Sequence, residues 1–134
     1  MQEMQSARSL MLQYTAAWED QDLDHILALY HYPVASLRSG ELVVNTPQSM
    51  RQAVGRILPW WKRDGKSSNA FDPLEPLTAS PSTVIVRVRW GEWSLNVPGC
   101  ESLASPAFHY VTSRLDGAWK IAAMISEWPK PPVQ

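Results

Sequence analysis

Around Asn69 the hydrophobic period of this 134-residue chain changes from that of a helix to two, and no other feature restricts the fold as much. Upstream, Met4, Ala7, Met11, Tyr14 and Trp18 recur at spacings of three and four, one stripe of an amphipathic helix predicted from about residue 2 to 19. Downstream, Val84, Val86, Val88 and Trp90 alternate with Ile85, Arg87 and Arg89, as on a strand with two unlike faces. Helices first and strands afterwards predict an α+β domain.

Between these stretches the breakers set the order. Asp22 is placed to cap a second helix with a buried stripe of Leu23, Ile26, Leu27 and Tyr30. Pro33 cannot continue that helix and biases Tyr32 toward extended backbone, so Val34 to Leu37 and Glu41 to Val44 read as a hairpin turning through Arg38-Ser39-Gly40. Thr46-Pro47 opens a third helix with apolar positions Met50, Val54, Ile57, Leu58 and Trp61; Pro59 is expected to stop or kink it near Leu58. Pro73 and Pro76 confine the strand candidate Phe71 to Thr78 to an edge. Residues 96 to 106 read as a loop.

Asp116-Gly117 is the strongest hairpin signal, joining strands predicted at about 107 to 115 and 118 to 128. An unbroken ladder from Leu115 opposite Ala118 places Thr112 opposite Ile121, Tyr110 opposite Ala123 and Phe108 opposite Ile125. One face then carries Phe108, Tyr110, Thr112, Trp119, Ile121, Ala123, Ile125 and Glu127, and Val111, Ala122, Met124 and Trp128 fall on the other.

At this length one core needs neither metal nor disulfide, so residues 1 to 134 read as a single domain. Twelve basic against 13 acidic residues, net charge -1, provide no field for a polyanion, which argues against nucleic acid. Cys100 is the lone cysteine and forms no intrachain disulfide, which fits a reducing cytoplasm. The expected setting is cytoplasmic, with no export signal in the first twenty residues and no apolar run approaching the ~20 residues that span a bilayer. His25, His31 and His109 lack metal-site spacing, and no nucleotide-binding or hydrolase motif occurs; no metal and no cofactor is expected.

Two stretches carry a resemblance. Tyr14-Thr15-Ala16-Ala17-Trp18-Glu19-Asp20-Gln21-Asp22-Leu23-Asp24, followed by Leu27-Ala28-Leu29-Tyr30, resembles the first two helices of the nuclear transport factor 2-like superfamily. Tyr110-Val111-Thr112-Ser113-Arg114-Leu115-Asp116-Gly117-Ala118-Trp119-Lys120-Ile121 resembles its closing hairpin. The resemblance, which takes in ketosteroid isomerases and polyketide cyclases, implies a cone: three N-terminal helices packed on a strongly curved antiparallel sheet. It implies that Tyr14, Trp18, Trp61, Trp90, Phe108, Tyr110 and Glu127 approach one cavity, although the same aromatics also suit a filled core.

Ketosteroid isomerase chemistry needs a carboxylate base and an oxyanion hole built from a tyrosine and a protonated aspartic acid. Tyr14 matches the tyrosine, but Arg38 falls at the position of the base, and arginine abstracts no proton at neutral pH. Catalytic expectations therefore fall on Tyr14 and Glu127, the latter through its face of the hairpin, and ligand-binding ones on Trp18, Trp61, Trp90, Phe108 and Tyr110. The expected function is a pocket for a small apolar or aromatic molecule, with acid-base activity of the lyase, cyclase or isomerase kind as its enzymatic version. The alternative is a non-catalytic dimerisation or scaffold module with a filled cone. A homodimer is expected through the outer sheet face, at Val111, Ala122, Met124 and Trp128.

Overall fold

In the computed structural model the described residues are 2–38, 40–61, 74–89 and 107–126, with backbone alone at 59–61, 74–79, 89, 107 and 126. The first helix, α1 (Gln2–Glu19), buries Ala7, Leu10, Met11, Tyr14, Thr15, Ala17 and Trp18. Asp22 caps α2 (Leu23–Ala28), accepting the His25 N–H at 3.2 Å. This helix is short, and Tyr30 does not extend its stripe: α2 ends at Ala28, and β1 (Tyr30–Arg38) begins at Tyr30 and carries Tyr32, which Pro33 biases toward extended backbone.

Strand β1 turns through Gly40, at φ +81°, into β2 (Glu41–Asn45), and Arg38 lies opposite Glu41. Thr46 then caps α3 (Pro47–Trp61) reciprocally: the Ser49 N–H donates to Thr46 Oγ1 at 3.2 Å and the Thr46 N–H to Ser49 Oγ at 2.9 Å. The helix runs through Pro59 to Trp61 rather than stopping at Leu58. Proline there forfeits one hydrogen bond, to the carbonyl of Gly55, and Gly55 is exposed where water can replace the donor.

Strands β3 (Leu74–Ala79), β4 (Thr83–Arg89), β5 (Ala107–Leu115) and β6 (Ala118–Ser126) complete a six-stranded sheet in the order β2-β1-β6-β5-β4-β3. Two features correct the expected strongly curved antiparallel cone. The sheet is mixed, because β6 enters beside β1 in the parallel sense, and it is open, with β2 and β3 as separate edges. Pro76 lies in the β3 edge, where a residue without an N–H is tolerated, and the ladder to β4 shifts between Pro76 and Thr78.

The described helices precede β3 in the chain; α1 lies across β3, β4 and β6, and α3 packs on α2 and β2. Met11, Ile26, Val34, Val84, Val86, Val88 and Ile121 are at most 1% exposed, and each stabilises the fold by about 1.5–3 kcal/mol through burial.

The closing hairpin departs from the unbroken ladder at one residue. Leu115 faces Ala118 and Thr112 faces Ile121, but Val111 pairs with Ala123, Tyr110 with Met124, His109 with Ile125 and Phe108 with Ser126. Ala122 is the extra residue of a bulge, and beyond it every side chain of β6 changes face. Met124, expected outside, packs against the core; Ile125, expected inside, is 37% exposed.

Candidate functional site: a buried aromatic cluster

Tyr14 and Trp18 are one turn apart on α1 and so share a face. Tyr30 opens β1, while Phe108 and Tyr110 lie two apart on β5 and project to one side of the sheet. These elements meet over the inner face, where Tyr14, Trp18, Tyr30 and Tyr110 are 2%, 7%, 3% and 1% exposed. Ring centroids stand 5.5 Å apart for Tyr14 and Tyr110, 5.7 Å for Tyr14 and Tyr30, and 6.2 Å for Tyr14 and Trp18, all edge to face. Phe108 stacks on Tyr110 at 5.9 Å and is only partly buried.

The polar atoms converge on one phenol. The Tyr14 and Tyr30 hydroxyls meet at 2.5 Å. Burial pushes the Tyr14 pKa above 10.0, while hydrogen bonding from Tyr30, Trp18 and Tyr110 pulls the other way. Burial drives Tyr30 well above 10.0, and Tyr14 beside it adds to the rise. At neutral pH both phenols are uncharged, so they act as hydrogen-bonding groups in a dry setting and not as bases.

The sequence-predicted residues divide. Tyr14, Trp18, Phe108 and Tyr110 come together. Trp61 ends α3, where backbone alone is described; Trp90, Glu127, Trp128 and the loop at 96 to 106 lie outside the described residues. The bulge breaks the alternation from which Glu127 was placed beside Phe108 and Tyr110, and Glu127 itself lies outside the described residues. Met124 likewise leaves the outer face expected for a dimer contact, and Ile125 takes its place. Arg38 is exposed at the end of β1. His31 lies in β1, not at a helix end, with its Nε2 3.1 Å from the Ser113 carbonyl oxygen.

Tyr30 is the member the sequence reading assigned elsewhere, as a core position of the second helix. Its nearest signal was Pro33, which biases Tyr32 toward extended backbone, and β1 begins two residues before Tyr32.

A separate open cleft of about 280 Å³ lies between α2, β1 and α3, lined by Asp24, Leu27, Ala28, Tyr32, Gln48 and Arg51 among others. Arg51 reaches Asp24 at 2.6 Å, with both side chains largely exposed, and the Tyr32 hydroxyl donates to the Leu27 carbonyl at 2.7 Å. Among the described residues, none of the aromatic site residues predicted from the sequence lines it. Among the described residues no three His, Cys, Asp or Glu are grouped to hold a metal, and no helix is long and apolar enough to cross a membrane.

Residues 3–128 match the model of a family described as NTF2-like protein (DUF6841). The chain belongs to that family. Its NTF2-like fold recurs in solved structures. An NTF2-like protein of unknown function from Shewanella oneidensis is 18% identical, with 92% of this chain and 98% of that one covered and a TM-score of 0.64. A ketosteroid isomerase-like protein from Erwinia carotovora atroseptica is 15% identical, with coverage of 96% and 98% and a TM-score of 0.68. A protein of unknown function with a cystatin-like fold, from Nostoc punctiforme, is 14% identical, with coverage of 96% and 93% and a TM-score of 0.70. No curated protein matches the chain. At these identities the NTF2-like likeness is one of fold.

Proposed function

We propose that the inner face of the sheet binds a small, largely apolar or aromatic molecule at the end of the aromatic cluster where Phe108 and Met124 remain partly exposed. The observation that carries this reading is the uncharged phenol network at Tyr14, ringed by aromatic side chains on one side of an otherwise apolar interior. Apolar walls with a few convergent polar groups suit such a ligand. Trp18, Phe108 and Tyr110 supply the walls and Tyr14 the hydrogen-bonding group; Trp61 and Trp90 join them by resemblance. Any acid-base version works with Tyr14 as proton donor to a developing oxyanion, its base still to be assigned. A cytoplasmic setting belongs to the same proposal.

The test is native mass spectrometry of the purified chain for a retained molecule, with a titration of 1-anilinonaphthalene-8-sulfonate as an apolar probe. Saturable binding, weakened about tenfold or more in Phe108→Lys while circular dichroism is unchanged, supports the pocket. No retained mass and no saturable binding overturns it in favour of a filled interior.

A second reading, a homodimer, draws on a different observation. Leu37, Leu42, Val44 and Ile125 share the outer face by cross-strand register and are 43%, 65%, 57% and 37% exposed. Analytical ultracentrifugation across a concentration series tests it, and a monomer throughout removes it.

A further inference from the structure

The two edges of the sheet are managed differently. On β3, Pro76 and a register shift interrupt the ladder, two of the devices that keep an edge from recruiting another strand. The opposite edge, β2, has neither. Its residues Glu41-Leu42-Val43-Val44-Asn45 contain no proline and a single charge, and they pair with β1 in unbroken register. Leu42, Val43 and Val44 are 65%, 46% and 57% exposed, and among the described residues β1 is the only strand paired with β2.

The exposed apolar surface here is not confined to one face. Register along Tyr110, Met124, Ser36 and Val43 puts Val43 on the inner side, with Asn45, while Leu42 and Val44 face out. Packing two sheets face to face would cover Leu42 and Val44 but leave Val43 and the edge of β2 turned away from β1 in water. Another strand laid along β2 covers all of them. Toward β4 the outer row that holds Leu42, Leu37 and Ile125 turns polar, through His109 and Arg87, so among the described residues the apolar part of this row lies at the β2 end.

We propose that β2 is the homodimer contact, with β2 of a second copy added antiparallel across a two-fold axis at Val43. The inference rests on the homodimer reading above and specifies its geometry. In that register Val43 faces its own counterpart, Leu42 faces Val44, and the sole charge, Glu41, faces Asn45, so no like charges oppose each other. Asn45 is already held by Ser49, whose hydroxyl donates to its Oδ1 at 2.9 Å, which fixes the end of the strand before a partner arrives. The two sheets then join into one.

Val43→Lys and Ile125→Lys separate the edge from the face, since both positions are exposed and both variants should keep the wild-type circular dichroism. Dimerisation of the full chain is measured by ultracentrifugation, with hydrogen exchange of the amides of residues 41–45 at low and high concentration. The expected result is a dimer weakened at least about tenfold by Val43→Lys, where lysine would oppose lysine, with concentration-dependent protection of those amides. A wild-type monomer at every concentration overturns both this geometry and the homodimer reading. A dimer sensitive to Ile125→Lys but not to Val43→Lys, or one without protection of β2, overturns the edge contact and leaves the homodimer standing.

Discussion

The hydroxyl of Tyr14 on α1 and that of Tyr30 on β1 meet at 2.5 Å in the interior, tying the first helix to the first strand through two side chains sixteen residues apart. Trp18 and Tyr110 stand edge to face against the Tyr14 ring and draw its pKa down against burial, whereas Tyr14 is the hydrogen-bond partner that bears on the Tyr30 phenol. Removing the Tyr14 hydroxyl strands that of Tyr30 in a dry site, which costs about 1–3 kcal/mol, whereas removing that of Tyr30 leaves Tyr14 beside Trp18 and Tyr110. Tyr14→Phe should therefore cost more than Tyr30→Phe, and the double variant less than their sum, with a coupling of about 0.5 kcal/mol or more in urea unfolding. Additive losses would mean that the two phenols do not act on each other.

The bulge at Ala122 reverses which of two neighbours matters. Met124 lies opposite Tyr110 and packs on the core, while Ile125 lies opposite His109 and is exposed. Met124→Asp puts a carboxylate against apolar neighbours and should destabilise by about 2–4 kcal/mol, against about 1 kcal/mol or less for Ile125→Asp. An unbroken ladder demands the opposite order, so thermal unfolding of the two variants decides the register.

Why the sequence could not show this lies in Ile121-Ala122-Ala123-Met124-Ile125, where no polar residue marks the solvent side and either register buries apolar groups. The Asp116-Gly117 turn was readable because both residues hold positive φ, 54° and 81°, as a two-residue hairpin turn of that hand requires. Capping at Asp22 and Thr46 was readable for a similar local reason. Pairing β1 in parallel with β6 was not, because strands more than eighty residues apart leave no local trace of their neighbour. At the candidate site, periodicity put Tyr14 and Trp18 on one helix stripe and Phe108 and Tyr110 on one strand face, and it was the resemblance that implied they meet. Tyr30 was hidden by a spacing that also suits a helix, and the openness of the sheet shows in β2 and β3 being separate edges among the described residues rather than in any short motif.

Two glycines should respond to alanine with opposite signs. Gly117 holds φ +81° in the hairpin turn, where a Cβ meets nothing within 4 Å but the backbone itself is unfavourable for an L side chain; Gly117→Ala should cost about 1–2 kcal/mol. Gly55 is helical and exposed, also with nothing within 4 Å, so Gly55→Ala should stabilise α3 by up to about 1 kcal/mol. Chemical denaturation of both variants checks the pair, and a loss at Gly55 would point to an unseen close neighbour there.

Alkali should unfold the protein through the same two phenols. Their folded pKa values lie above 10.0, mainly because burial disfavours the phenolate. Below the unfolded value of about 10 both states hold the protons, and the full contribution to stability is present. As pH rises past that point the unfolded chain ionises first and is favoured, and stability falls until the folded values are passed. Each buried phenol adds at most about 1.4 kcal/mol per pH unit to that slope. Urea unfolding from about pH 8 to 11 should give a flat profile that then declines, and Tyr14→Phe or Tyr30→Phe should reduce the decline by one proton's worth. If the phenylalanine variants lose stability as steeply as the parent above pH about 10, the alkaline transition belongs to other groups and the interior at Tyr14 is wetter than its 2% exposure implies.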